Sequence, residues 1–147
     1  MGINTDAVGF ETAETTHEVD RVSIKWFAKA IGETNPIYFD LGAARKEGFA
    51  DIPAPPTFPT TFRDDQDAKL RDKVGFDFRK LVHGTQEYEM LRPLIAGDVL
   101  KVKSRVTDIY TKEGKSGPMI MVVTETLGHR PDGSLAFVGR STVIQRP

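Results

Sequence analysis

From Val82 to Arg146 the chain is built from β-branched and apolar residues in alternating patterns, which commits its second half to strands. Val99, Val102, Val106 and Ile109 recur through VLKVKSRVTDIY; PMIMVVTETLGHR is an apolar run; LAFVGRSTVIQR is a third. Gly97-Asp98, Lys112 to Gly117 and Pro131-Asp132-Gly133 are the turns between them, the last a strong hairpin signal. Further strands are predicted from Thr15 to Val22 and from His83 to Leu91. A sheet of this kind has one face to hide, so the first half of the chain must supply its cover.

That half reads as helices. In VSIKWFAKAI, Ile24, Phe27, Ala28 and Ile31 fall three and four apart on one helical face, with Ser23 or Asp20 as the cap and Gly32 as the stop. LGAARKEG forms a second short helix from Leu41, capped by Asp40 and ended by Gly48. The four prolines of DIPAPPTFPTT forbid a strand and any helix starting before Pro56. Thr57 can cap a helix with Pro59 in its first turn and Phe58 and Phe62 on one side. The charged stretch from Arg63 to Lys80 then reads as that helix's exposed end and a surface loop. Helices followed by an antiparallel sheet give an α+β class.

Composition narrows the function. At 147 residues the chain is the size of one domain able to bury about two-thirds of its unfolded surface. Twenty basic against 21 acidic residues give a net charge of -1, so no overall field attracts nucleic acid or anionic lipid. No apolar run approaches the roughly 20 residues of a membrane span. The absence of cysteine removes disulfides, thiolate metal ligands and a cysteine nucleophile together. No metal motif or phosphate loop is present, and no cofactor is expected. The start MGINTDAVGF lacks the features of a secretory signal, so a cytoplasmic location is expected.

Five blocks, in order, resemble one family: FAKAIGETNPIYFD (Phe27 to Asp40), ARKEGF (Ala44 to Phe49), IPAPPTF (Ile52 to Phe58), HGTQEYEMLRPLIAGDVL (His83 to Leu100) and SLAFVGRSTVIQR (Ser134 to Arg146). Together they look like a single N-terminal-type MaoC-like dehydratase domain spanning residues 1–147. The resemblance implies a hot-dog fold, a sheet wrapped around a central helix. It also implies a homodimer, or a heterodimer with a second hot-dog subunit, and an acyl-CoA or acyl carrier protein thioester as the partner molecule. The implied chemistry is that of a hydro-lyase in fatty acid metabolism, an R-specific enoyl-CoA hydratase or 3-hydroxyacyl dehydratase that adds or removes water next to the thioester.

Active members of that family carry Gly-Asp-x-Asn-Pro-aliphatic-His in the loop. This chain keeps Gly32, Asn35, Pro36 and Ile37 but has Glu33 in the Asp position and Tyr38 in the His position. An extra methylene at Glu33 displaces its carboxylate on a scale that can cost about 10²-fold in a positioned reaction. A phenol, with an ordinary pKa near 10 against about 6.5 for imidazole, donates a proton but seldom shuttles one near neutrality. Where relatives offer a glycine N–H to the thioester oxygen stands Pro56, which has none, so Thr57 or Phe58 must supply the donor.

Glu33, Tyr38 and His83 are the catalytic candidates, and Asn35, Thr57, Phe58, Phe62 and Gln86 the substrate-binding ones. Each has a plainer role. His83 can be a structural hydrogen-bonding group at a strand entry, Asn35 a turn former, and Phe58 and Phe62 core. His17 and His129 read as surface residues. Three functions stay open: a hydratase or dehydratase with an altered loop, a non-catalytic binding subunit paired with a catalytic partner, and a hot-dog thioesterase using Asp64 or Asp65.

Overall fold

The computed structural model describes residues 2–147, leaving Met1 outside. Five strands form one antiparallel sheet: β1 (Thr15–Glu18), β2 (Leu81–Met90), β3 (Val99–Gly114), β4 (Gly117–His129) and β5 (Leu135–Gln145), in the order β1-β3-β4-β5-β2. β3, β4 and β5 follow one another as a meander. The other two strands come from earlier in the chain and close its sides. The first strand stops at Glu18, short of the expected Val22, because Asp20 turns to cap a helix. The β3–β4 turn is also tighter than Lys112 to Gly117, with Gly114 still opposite Gly117.

Helix α1 (Arg21–Ala30) starts where the Asp20 carboxylate accepts the Ser23 N–H at 2.8 Å, and it buries Ile24 and Ala28. Helix α2 (Leu41–Lys46) is capped by Asp40, whose carboxylate accepts the Ala43 N–H at 2.8 Å. The expected long helix from Thr57 does not form. A 3₁₀ turn covers Phe58–Thr61 and ends at Phe62. Pro59 has no N–H to give, and the Thr61 hydroxyl bonds back to the Phe58 carbonyl at 2.9 Å, an alternative to helical pairing.

A new helix then begins. In α3 (Asp65–Val74) the Asp64 side chain caps the start while Asp67 accepts the Asp64 N–H at 3.0 Å, a reciprocal capping box, and Gly75 at φ 77° ends it. The segment expected as the exposed end of the Thr57 helix and a surface loop is therefore a separate helix that buries Leu70 and Val74. A single charge-rich turn hid two apolar residues four apart.

The apolar interior is divided accordingly. One cluster joins Val19, Ile24, Ala44, Phe58, Leu94, Leu100, Val102 and Phe137 beneath α1, α2 and the 3₁₀ turn. The other joins Leu70 and Val74 of α3 to Ala7, Val106 and Val122. Gly128 is required by the first: a Cβ there would lie 2.1 Å from the Phe137 ring. Among the described residues no helix is long and apolar enough to cross a membrane.

Candidate functional site

The two clusters leave a groove of about 680 Å³ between the sheet's inner face and the segment formed by the 3₁₀ turn and α3. Phe62, Phe137 and Tyr88 wall one end, with Phe62 and Phe137 centroids 5.9 Å apart and Tyr88 packed edge-on to Phe137 at 6.4 Å. Burial pushes the Tyr88 phenol up from its usual range, against the Thr60 hydrogen bond and the Arg63 charge. Leu70 and Val122 line the other end, and His83 and Gln86 come in from β2. His83 and Gln86 are exposed. Gln86 spends its amide on the carbonyls of Glu87 and Arg140, at 3.2 and 3.3 Å.

The loop candidates lie elsewhere. Asn35 caps a short 3₁₀ turn, its carboxamide oxygen accepting the Ile37 N–H at 3.2 Å. Tyr38 packs against the first apolar cluster, and burial together with the nearby Glu33 carboxylate holds its phenol above the usual value, hence neutral. Glu33, Asn35 and Tyr38 are not among the residues lining the groove. Phe58 is buried and Thr57 exposed. The Phe58 N–H is already given to the Pro55 carbonyl at 2.9 Å, and Pro56 has none, so Thr57 retains the remaining donor of the three.

One acid-base pair in the groove was not legible beforehand. His17, expected at the surface, has a side chain only 15% exposed, stacked on Phe62 at 5.0 Å. Its Nε2 lies 3.0 Å from Asp64 Oδ2, and the Thr15 hydroxyl donates to the same oxygen at 2.7 Å. Burial raises the Asp64 pKa, but the Thr15 hydroxyl, the Gln66 N–H and His17 together outweigh it and hold the carboxyl below its ordinary value. The tie fastens the start of α3 to edge strand β1. Ala13, whose N–H donates to Gln66 Oε1 at 3.1 Å, adds a second fastening. The two partners stand 47 positions apart, beyond any local pattern. Among the described residues, no group of three or more His, Cys, Asp or Glu is arranged to hold a metal.

Residues 6–137 match the family described as FAS1-like, dehydratase domain region. A UPF0336 protein of Thermobifida fusca is 40% identical over 118 residues, covering 78% of this chain and 77% of that one. A UPF0336 protein of Parafrankia is 40% identical over 149 residues, covering 99% and 96%. Among solved structures, the HadBC (3R-hydroxyacyl-ACP dehydratase) complex from Mycobacterium tuberculosis aligns with a TM-score of 0.82 at 25% identity, covering 95% of this chain and 98% of that one. The ChsH1–ChsH2 complex from the same organism aligns at 0.73 and 21% identity, covering 92% and 83%. Both of these are complexes of two differently named components. The sheet laid over the α3 segment is thus the expected α+β hot dog, and the chain belongs to the FAS1-like dehydratase-region family of MaoC-type hot-dog proteins.

Proposed function

We propose that this chain is an acyl-thioester-binding subunit of a hydratase or dehydratase, completed by a second hot-dog subunit that brings the proton-handling Asp and His. The observation carrying this reading is the separation within one subunit: the groove able to take an acyl chain is not lined by Glu33, Asn35 or Tyr38. The neutral Tyr38 phenol and the missing Pro56 N–H support it, because neither a proton shuttle nor the usual oxyanion donor is in place. Phe62, His83 and Gln86, which line the groove, then serve to position the thioester and its chain, while Thr57 and Phe58 lie outside the lining, Phe58 packed behind Phe62. The partner is CoA-linked or carrier-linked acyl thioester, and the setting is fatty acid metabolism in the cytoplasm.

One observation favours a second reading, in which the chain is itself a slow hydratase. After burial, the Glu33 charge is the second cause that raises the Tyr38 pKa, so a carboxylate and a phenol share this loop. Hydration of enoyl-CoA thioesters of several chain lengths distinguishes the two. The binding-subunit reading expects saturable binding by the purified chain and turnover only after mixing with a MaoC-type partner that carries the intact Asp and His. Turnover by the chain alone, abolished by Glu33→Gln and reduced by Tyr38→Phe, would overturn it in favour of the second.

A further inference from the structure

The inner face of a sheet under a helix ordinarily buries apolar side chains on alternate residues. Here the inward register runs Val102, Ser104, Val106 on β3, Val122, Thr124, Thr126 on β4 and Phe137, Gly139, Ser141, Val143 on β5. A band of hydroxyls therefore crosses the middle of the face. It lines the same groove as Phe62 and Asp64, where the covering segment changes from 3₁₀ turn to α3. Ser104 Oγ and Thr126 Oγ1, directly opposed across β3 and β4, are 2.7 Å apart. Thr124 Oγ1 and Ser141 Oγ, directly opposed across β4 and β5, are 3.2 Å apart.

Each pair is held by a single O–H···O bond, which uses one of its two hydrogens. Among the described residues, neither pair has another side-chain hydrogen bond, so each keeps one O–H and several lone pairs for whatever enters the groove. Apolar walls stand on both sides of the band, Phe62 and Phe137 toward one end and Leu70 and Val122 toward the other. Along the sheet side of the groove, facing Arg63, Asp64 and Asp67 of the covering segment, a ligand that satisfies the surface is apolar, then oxygen-bearing, then apolar again. A plain alkyl chain would cover the hydroxyls without pairing them, and sites built to hydrogen-bond a substrate group reject analogues that lack it.

Resting on the acyl-binding reading above, we propose that this groove selects an acyl chain that carries a further hydroxyl or carbonyl oxygen part-way along its length, beyond the C3 position at which the hydratase reaction itself acts, recognised by the Ser104–Thr126 and Thr124–Ser141 pairs. The site is thus a specificity element as well as a channel.

The test is calorimetric titration of the full-length protein with stearoyl-CoA and with a series of hydroxystearoyl-CoA thioesters whose hydroxyl is moved along the chain beyond C3. The proposal expects a window of hydroxyl positions that bind about tenfold more tightly than stearoyl-CoA, the worth of one well-made hydrogen bond. In the near-isosteric Thr124→Val/Ser141→Ala double variant, that window should flatten while stearoyl-CoA binds as well or better. Thermal unfolding checks that the variant is folded, and the positional series on the unmodified protein stands without it. Equal binding across the series, or a window that survives both this variant and Ser104→Ala/Thr126→Val, overturns the proposal while leaving the acyl-binding reading in place. No binding of any acyl-CoA overturns both.

Discussion

Removing the Asp98 carboxylate should be among the most destabilising single changes in this protein. Arg130, at the mouth of the β4–β5 hairpin, has a side chain only 8% exposed, and its Nη1 meets Asp98 Oδ2 at 2.8 Å. Its Nε and Nη2 are buried with no hydrogen-bond partner, so among the described residues Asp98 is the one carboxylate in ion-pair contact with this charge, while Asp132 interacts with it only at longer range. The same carboxylate oxygen accepts the Ile95 N–H at 2.9 Å and so shapes the turn into β3. In Asp98→Ala the guanidinium stays buried and unpaired, a loss of about 3–5 kcal/mol, with about 1 kcal/mol of it from the freed Ile95 N–H. For a chain of this length that lowers the melting temperature by roughly 10 °C or more.

Arg130→Met removes the buried charge together with its two unmet donors, so it should cost far less. Asp98→Ala/Arg130→Met should then be more stable than Asp98→Ala alone. Urea unfolding followed by far-ultraviolet circular dichroism measures all four proteins. Fluorescence is the poorer probe because Trp26, the one tryptophan, is already 62% exposed in the folded state. The reasoning is refuted if Asp98→Ala costs less than about 1 kcal/mol, or if the two single losses simply add in the double variant.

Other consequences can be checked with the same measurements. Gly128→Ala places a methyl inside the Phe137 ring and should lose about 1–3 kcal/mol or more, with partial recovery when Phe137→Leu makes room. Asp64→Ala removes the cap of α3 and the tie to Thr15 and His17, a loss of about 2 kcal/mol that should not add to His17→Ala. Asp51, bonded by the Arg21 guanidinium and the Ile52 N–H, has its pKa lowered from 3.8 to about 2. Because folding depresses this pKa, its contribution is present above the unfolded value and disappears as pH falls from about 4 toward 2. Arg21→Ala should flatten that part of the melting temperature against pH profile.

The sheet and the first two helices were readable because their signals are local. Asp20 and Asp40 cap within three residues, and the strands declare themselves by β-branched runs and a Pro-Asp-Gly turn. Helix α3 is masked in the sequence although its signals are also local. Asp64 and Asp67 form a capping box, Leu70 and Val74 share a face, and Gly75 ends the helix, but the dense charge of RDDQDAKLRDK reads as the exposed end of the preceding helix and a surface loop. The helix expected from Thr57 failed for the opposite reason, since Pro59 and the Thr61 hydroxyl stopped what the apolar spacing promised.

At the groove, Phe62, His83 and Gln86 are the residues legible in the sequence, the loop residues Glu33, Asn35 and Tyr38 lie outside it, and what the sequence hides is set by distance along the chain. His17 and Asp64, or Asp98 and Arg130, meet only after the strands are in register. The inner hydroxyls at Ser104, Thr124, Thr126 and Ser141 obey the two-residue period and were open to the same reading as the valines beside them.

The division of the interior into two apolar clusters carries a dynamic consequence. Lifting α3 away from the sheet exposes Leu70, Val74 and their neighbours but leaves the cluster around Phe58 and Phe137 intact. That opening costs less than global unfolding, so the amides of α3 should exchange with deuterium sooner than those of β4 and β5 near Phe137. The grip of Thr15 and His17 on Asp64, beside the Ala13–Gln66 bond, is part of the barrier to the opening, which makes this edge contact a latch of a partial unfolding unit.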